Sequence, residues 1–164
     1  MHPAALPAES LLTAVEETHT RRSGPGGQHR NKVQTAVVLV HRPTGIAAEA
    51  AERRSQAENR RVALERLRLK LALEHRTPAP AAPSMRWQTR VRGRRLAVAA
   101  DHADYPALVA EALDLLQVHG YEVPATAAAL GVTATQLLKL FKKVPAAWTT
   151  LNRMRAGLGL PPLK

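Results

Sequence analysis

The hydrophobic positions of the chain fall into patterns of different period. Thr35 to His41 is rich in β-branched residues, and its central run Ala36–Val40 is apolar on both faces. That predicts a strand buried under a helix. Arg42-Pro43-Thr44-Gly45 reads as a turn, with Pro43 presetting one central angle, and Ile46 to Ala50 returns as the next strand of a hairpin. Glu16 to Thr20 is expected to run extended, after a short helical turn over Ser10 to Val15 capped by Ser10. From Ser55 the period changes to that of a helix. Ser55 is the expected N-cap, Glu58 completes a capping box, and Pro78 and Pro80 forbid continuation past about Glu74 or His75. Ala57, Leu64, Leu67 and Leu71 share one face of that helix, and Val62, Leu69 and Leu73 form a second stripe.

Beyond residue 76 the texture alters. Thr77-Pro78-Ala79-Pro80-Ala81-Ala82-Pro83 reads as a stiff, extended linker and marks the best domain boundary. An arginine-rich stretch follows, with Arg86, Arg90, Arg92, Arg94 and Arg95 around Trp87 and Gly93. It suits a basic β-hairpin or an arm that orders on RNA, with Trp87 anchoring the core of a second domain. From Asp101 the chain is helical. Asp104 is the expected cap of a helix carrying Leu108, Ala112, Leu115 and Leu116, which Gly120 ends. Pro124–Leu130, the turn Gly131-Val132-Thr133 and Ala134–Lys143 have helix-turn-helix spacing, with Gln136, Lys139 and Lys142 directed outward. A last helix starts at Pro145 and runs through Trp148, Leu151 and Arg155. The fold class is therefore α+β, a small, mainly antiparallel sheet covered by one long helix, followed by a small all-helical module. The expected organisation is a lead-in over 1–9, a first domain over 10–75, a basic linker over 76–100 and a helical module over 101–164.

Charge sharpens this picture. The formal net charge of the 164 residues is +11. Residues 1–20 carry three acids and no Lys or Arg, residues 21–95 carry 18 basic and 5 acidic residues, and residues 96–164 carry 6 and 5. Cationic character so concentrated reads as a nucleic-acid face. With no cysteine, disulfides and thiolate metal sites are excluded. No stretch approaches the roughly 20 apolar residues of a membrane span. The first residues resemble neither a signal nor a transit peptide, so no membrane partner and a cytoplasmic location are expected. Five aromatic residues are too few for broad base-stacking platforms.

The candidate chemistry sits in Gly24-Pro25-Gly26-Gly27-Gln28-His29-Arg30-Asn31-Lys32. Three glycines in four residues allow backbone angles that a Cβ would forbid and a close approach to a ligand. Gln28 both donates and accepts hydrogen bonds. Arg21 and Arg22 precede this tip, and Arg30 and Lys32 follow it, a collar suited to phosphates. A phosphate-cradling nest is the alternative, although the Gly-Lys-Ser/Thr ending of a P-loop is missing.

What surrounds the tip is collinear with a known pattern. The run Arg22 to Lys32, the apolar run Ala36–Val40, the turn His41-Arg42-Pro43-Thr44-Gly45-Ile46 and the segment Glu52-Arg53-Arg54-Ser55-Gln56-Ala57-Glu58-Asn59-Arg60 occur in that order. Over roughly residues 15 to 74 the chain resembles the catalytic (GGQ) domain of class-I peptide chain release factors and of the related ribosome-rescue hydrolases. The resemblance implies hydrolysis of the ester between nascent peptide and transfer RNA, with Gly26, Gly27 and Gln28 entering the peptidyl-transferase centre. The Gln28 main-chain N–H would stabilise charge on the reacting ester. Its side chain would admit water and exclude larger nucleophiles. No metal or cofactor is implied, and His29 need not act as a base. Gln28 matches a glutamine that a dedicated methyltransferase N-methylates, which makes that enzyme an expected partner beside large-subunit ribosomal RNA and peptidyl-tRNA. Arg21, Arg22, Arg30, Asn31, Lys32, Arg53, Arg54, Gln56, Arg60 and Arg61 are the expected RNA contacts, and Asn59 belongs to the second motif, which supports the loop in relatives.

The sequence departs from decoding release factors in having no room for a codon-reading domain and no candidate recognition tripeptide. Codon-independent rescue of stalled ribosomes, or action on a split large subunit, is therefore expected. Some rescue hydrolases carry an unstructured basic tail, and a nearly neutral helical module stands in its place here. Two other readings are a non-catalytic ribosome- or RNA-binding protein that keeps the fold, and a DNA-binding regulator built on the helix-turn-helix spacing of 124–143. Nothing in the residues demands a dimer, so a monomer is expected.

Overall fold

A computed structural model describes residues 1–20 and 35–164. The chain divides into two compact units, Leu6–His75 and a second formed by Met1–Ala5 with Arg76–Lys164.

The first unit is a three-stranded antiparallel sheet of order β1-β2-β3 under one long helix. Its strands are β1 (Val15–Thr20), β2 (Ala36–His41) and β3 (Ala47–Ala50), and α2 (Gln56–Glu74) packs against β2 and β3. The pairing places Leu39 opposite Ala48 and Val37 opposite Ala50, and all four are buried. Since side chains alternate across a strand, this register gathers them on one face. Val38 and Val40, on the other face, are half-buried. The helix starts as expected, with the Ser55 hydroxyl accepting from the Glu58 N–H at 3.4 Å. Its buried face differs from the expected one. Ala57 is exposed and Leu64 half-buried, whereas Asn59, Ala63, Leu67 and Leu71 are fully buried along a four-residue repeat. A polar residue heads that stripe, which is why counting apolar residues alone misplaced it. The preceding helix α1 (Ala8–Leu12) begins two residues before the expected Ser10 cap, behind Pro7 at φ −53°.

His41 ends β2 on the buried face of the sheet. Its main-chain N–H donates to the Ile46 carbonyl, and the Gly45 N–H donates to its own carbonyl at 2.8 Å. The Thr44 hydroxyl accepts from the Ile46 N–H at 3.3 Å and lies 2.8 Å from His41 Nδ1. The Thr44 hydroxyl thus joins the turn to the imidazole, with one side-chain oxygen serving both the Ile46 N–H and His41 Nδ1.

The second unit opens with a 3-10 turn at Pro3–Ala5 and then resumes at Arg76. Residues 76–100, expected to be a linker, are built into it. They carry α3 (Met85–Gln88) and a two-stranded antiparallel ribbon of β4 (Val91–Arg92) and β5 (Arg95–Leu96). The Pro/Ala stretch is fastened at both ends to α4 (Tyr105–Val118). At one end the Asp114 carboxylate accepts from the Thr77 hydroxyl at 2.7 Å, from the Thr77 N–H at 3.2 Å and from Arg76 at 3.2 Å. At the other the Glu111 carboxylate accepts from the Ser84 hydroxyl at 2.6 Å and the Ser84 N–H at 2.7 Å. Composition marks such a stretch as stiff but cannot reveal that acids one helical turn apart hold it. Trp87 is fully buried and donates its indole N–H to the Leu130 carbonyl at 2.9 Å, as an anchor of this core should.

Asp104 precedes α4 but makes no side-chain cap. Its carboxylate takes Arg86 at 3.1 Å and Arg90 at 2.7 Å instead, since two cations are stronger partners than one helix N–H. The helix-turn-helix expectation holds as geometry: α5 (Val123–Ala129), a turn through Gly131 at φ +67°, and α6 (Ala134–Lys142) capped by the Thr133 hydroxyl. Gln136 does not project freely, because its side-chain oxygen accepts from the Leu96 N–H at 3.2 Å. The last helix, α7 (Pro145–Gly157), buries Leu151 and Arg155.

Burial, and next to it the neighbouring His75, holds the His41 imidazole below its ordinary pKa. The unfolded chain then binds a proton that the folded chain does not, so this contribution is whole above about pH 6.5 and declines as pH falls below it. Scanning unfolding temperature from pH 7.5 to pH 5 is expected to show a steeper fall for the wild type than for His41→Gln. Parallel curves would contradict the assignment.

Candidate functional site

The tip residues Gly26, Gly27 and Gln28, the flanking Arg21, Arg22, Arg30, Asn31 and Lys32, and the helical turn expected over 31–34 all lie outside the described residues. What is described is the frame on either side. Thr20 and Ala36 are register partners at one end of the β1–β2 pair, so the intervening residues leave and rejoin the sheet on adjacent strands.

Asn59 fastens the rejoining strand. Its side-chain amide donates to the Thr35 carbonyl at 2.7 Å and to the Arg53 carbonyl at 3.0 Å. Its side-chain oxygen accepts from the Arg53 N–H at 2.9 Å. The residue is fully buried, so these bonds replace water for three main-chain groups. Arg53 and Arg54 are thereby placed on an exposed connection between β3 and α2, directly against the point where Thr35 enters β2. Glu52 stiffens the same connection. Its carboxylate accepts from the Ala51 N–H at 2.9 Å and pairs with Arg66, and these hydrogen bonds, the main-chain ones first, hold its pKa at about 2.

Of the expected RNA contacts that are described, Arg53, Arg54, Gln56, Arg60 and Arg61 cluster at the start of α2 or just before it, and all are exposed. Two of them carry carboxylate partners. Arg60 donates to Glu17 on β1 at 2.8 Å, and Arg61 donates to Glu65 one turn on at 2.6 Å. Burial works to raise the Glu17 carboxyl, but hydrogen bonds from Arg60 and His19 outweigh it, and the net shift is downward. Surface pairs of this kind contribute about 0–1 kcal/mol each, so they orient the arginines more than they hold them. The resemblance gave Asn59 its motif's general part in supporting the loop, but not these three bonds. The available signal was a carboxamide on the helical repeat of Ala63, Leu67 and Leu71, where an unsatisfied polar group would not be tolerated. Glu17 left no comparable signal.

Comparison with known proteins agrees with this architecture. Residues 12–100 match the RF-1 domain, more than half of the chain. The chain belongs to that family, the catalytic-domain family of class-I peptide chain release factors. The match takes in β1 to β3 and α2 and runs on through the β4–β5 ribbon, while α4 to α7 lie beyond it. Among individual proteins, the chain is similar to peptide chain release factor 1-like, mitochondrial, of Mus musculus, 49% identical over 55 residues, which is 34% of this chain and 15% of that protein. It is 45% identical over 71 residues to peptide chain release factor PrfB1, chloroplastic, of Arabidopsis thaliana, covering 40% of this chain and 16% of the relative. With peptide chain release factor 1 of Acidiphilium cryptum (strain JF-5) it shares 48% identity over 84 residues, 48% of this chain and 24% of the relative. The chain thus spans between 15% and 24% of the length of these relatives.

Replacing Asn59 with Ala would strand the Thr35 carbonyl and both main-chain groups of Arg53. At about 1–3 kcal/mol for a buried group left unsatisfied, partly relieved by entering water, the expected loss is about 2–3 kcal/mol. Urea unfolding of Asn59→Ala checks it, and a loss under about 0.5 kcal/mol would show that the clamp is not structural.

Proposed function

We propose that the chain is a codon-independent peptidyl-tRNA hydrolase, acting on stalled ribosomes or on split large subunits that still hold peptidyl-tRNA. The observation that carries this reading is the Gly26-Gly27-Gln28 tip inside a matched RF-1 domain. It is supported by a frame that brings both stems of the tip-bearing segment to one end of the sheet and clamps one of them through Asn59. In the reaction, water adds to the ester carbonyl, the bond to the transfer-RNA oxygen breaks, and peptide acid and deacylated transfer RNA leave. The Gln28 N–H stabilises the developing oxyanion, and removing such a donor typically costs 10²–10³-fold in rate. Gly26 and Gly27 let the backbone pass beside the terminal adenosine. Arg21, Arg22, Arg30, Asn31 and Lys32, with Arg53, Arg54, Gln56, Arg60 and Arg61, contact ribosomal RNA.

Codon independence is the part of this proposal that goes beyond the family match, whose relatives are peptide chain release factors. The same reading includes N-methylation of Gln28 by a glutamine methyltransferase, action as a monomer and a cytoplasmic location. The names of two relatives place them in mitochondria and chloroplasts, so the compartment belongs to the proposal and not to the family.

The test is peptide release from ribosomes stalled at the end of a truncated message. Wild type is expected to release peptide, and Gly27→Ala to lose about 10²–10³-fold while still binding ribosomes. Release only with a stop codon in the decoding site would overturn codon independence. No release by wild type from either stalled ribosomes or isolated large subunits would overturn the hydrolase and leave a binding protein.

A further inference from the structure

The unit formed by Arg76–Lys164 and the N-terminal residues carries basic side chains that no carboxylate of the described residues pairs with; of these, Arg92 donates only to the Val91 carbonyl at 3.0 Å. The acids of this unit are largely committed: Asp104 to Arg86 and Arg90, Glu111 to Ser84, Asp114 to Arg76 and Thr77. Arg92, Arg94 and Arg95 are exposed and pair with no carboxylate among the described residues. Their placement works against the fold. Arg92 and Arg95 are direct cross-strand partners, where like charges repel. Arg94 sits at φ +63° beside Gly93 at φ +53°, the two-residue hairpin turn in which both central positions favour Gly, Asn or Asp. Three cations concentrated where they disfavour folding indicate an anionic ligand that offsets their repulsion.

The ribbon is mounted on the helix-turn-helix. The Thr133 N–H donates to the Arg94 carbonyl at 3.3 Å, and the Gln136 side chain holds Leu96, so the ribbon abuts the start of α6. From Gln136, Lys139 follows after three residues and the C-cap Lys143, still helical in its backbone angles, after four more, which places these two exposed lysines on the same side as Gln136. Ribbon and helix thus present one basic strip, the helical part about 10 Å long at 1.5 Å per residue. Lys142 is occupied otherwise, bonded to the Lys164 carbonyl at 2.9 Å and lying over Trp148 at 4.8 Å.

We infer that this strip is a second nucleic-acid-binding surface and that its ligand is double-helical RNA held through phosphates. Single strands fit less well, because they need aromatic platforms: Trp87, Tyr105, Tyr121 and Phe141 are buried, and the half-buried Trp148 has Lys142 over its ring at 4.8 Å. Base-reading in duplex DNA also fits less well. Gln136, the side chain on α6 best able to read a base edge, is spent on Leu96, and what remains exposed is suited to phosphates. A-form RNA is recognised in just that way, by shape and backbone contact. The inference goes beyond hydrolysis at the tip and does not depend on it.

The full chain would be titrated by fluorescence anisotropy against a 20-bp RNA duplex, a DNA duplex of the same sequence, single-stranded RNA and anionic phosphatidylserine vesicles, each over a salt series. The probe variant is Arg92→Gln, Arg94→Gly, Arg95→Gln combined with Lys139→Gln and Lys143→Gln. All five positions are exposed and Arg94→Gly relieves the turn, so its unfolding temperature should hold or rise. Duplex-RNA affinity is expected to fall at least about tenfold, with the salt slope reduced by about two to four. Equal duplex-RNA binding by variant and wild type would overturn the inference. So would tighter binding to DNA or single strands than to duplex RNA, or capture by vesicles alone. Because the readout is binding, an absence of peptide release would count against the hydrolase and not against this surface.

Discussion

One buried carboxamide ties the long helix of the first unit to the re-entering strand and to the connection that precedes the helix. Asn59 stands on the apolar side of α2 and reaches the strand that carries the chain back from the tip and the connection that carries Arg53 and Arg54. Leu67 and Leu71, further along the same stripe, hold the helix to the sheet by burial, at about 1.5–3 kcal/mol each. Burial is non-directional and would tolerate a helix displaced along its axis. The three bonds of Asn59 are directional and fix that displacement, which locks the arginines against the end of β2 from which the tip departs. Glu52 and Glu17 reinforce the same end from either side through Arg66 and Arg60.

The second unit solves a different problem with the same means. A Pro/Ala stretch has few backbone donors and little to bury, so it cannot stake itself. Glu111 and Asp114 do so from successive turns of α4, each accepting from both a main-chain N–H and a hydroxyl. Asp104 similarly gathers Arg86 and Arg90 under the ribbon. The near-neutral sum over residues 96–164 hides a division of roles, since Asp104, Glu111 and Asp114 are engaged with residues 76–90 while Lys139 and Lys143 stay exposed.

Most of the first unit could be read from the chain: the hairpin from Pro43 and Gly45, the long helix from Ser55, Glu58 and the later prolines. The family was legible from three motifs in order, and the matched region reaches past them to residue 100. What could not be read has a common cause. The buried face of α2 was misplaced because its first member is polar, and the Asp104 cap failed because arginines distant in sequence claimed the carboxylate. Residues 76–100 looked like a linker because the acids that fasten them come from a helix about 30 residues later. Each miss is a tertiary partner overriding a local preference, which propensity and period cannot anticipate.

The pairing of Thr20 with Ala36 has an evolutionary side. The two ends of this connection are held by a strand pair and a buried amide, neither of which belongs to the connection itself. Changing its length costs slowly, about 0.6 kcal/mol for each doubling. Such a frame works as a socket. The residues that hold the socket, Thr20 with Ala36 and Asn59 with Thr35, are separate from the segment between Thr20 and Thr35, so selection can act on the two sets independently.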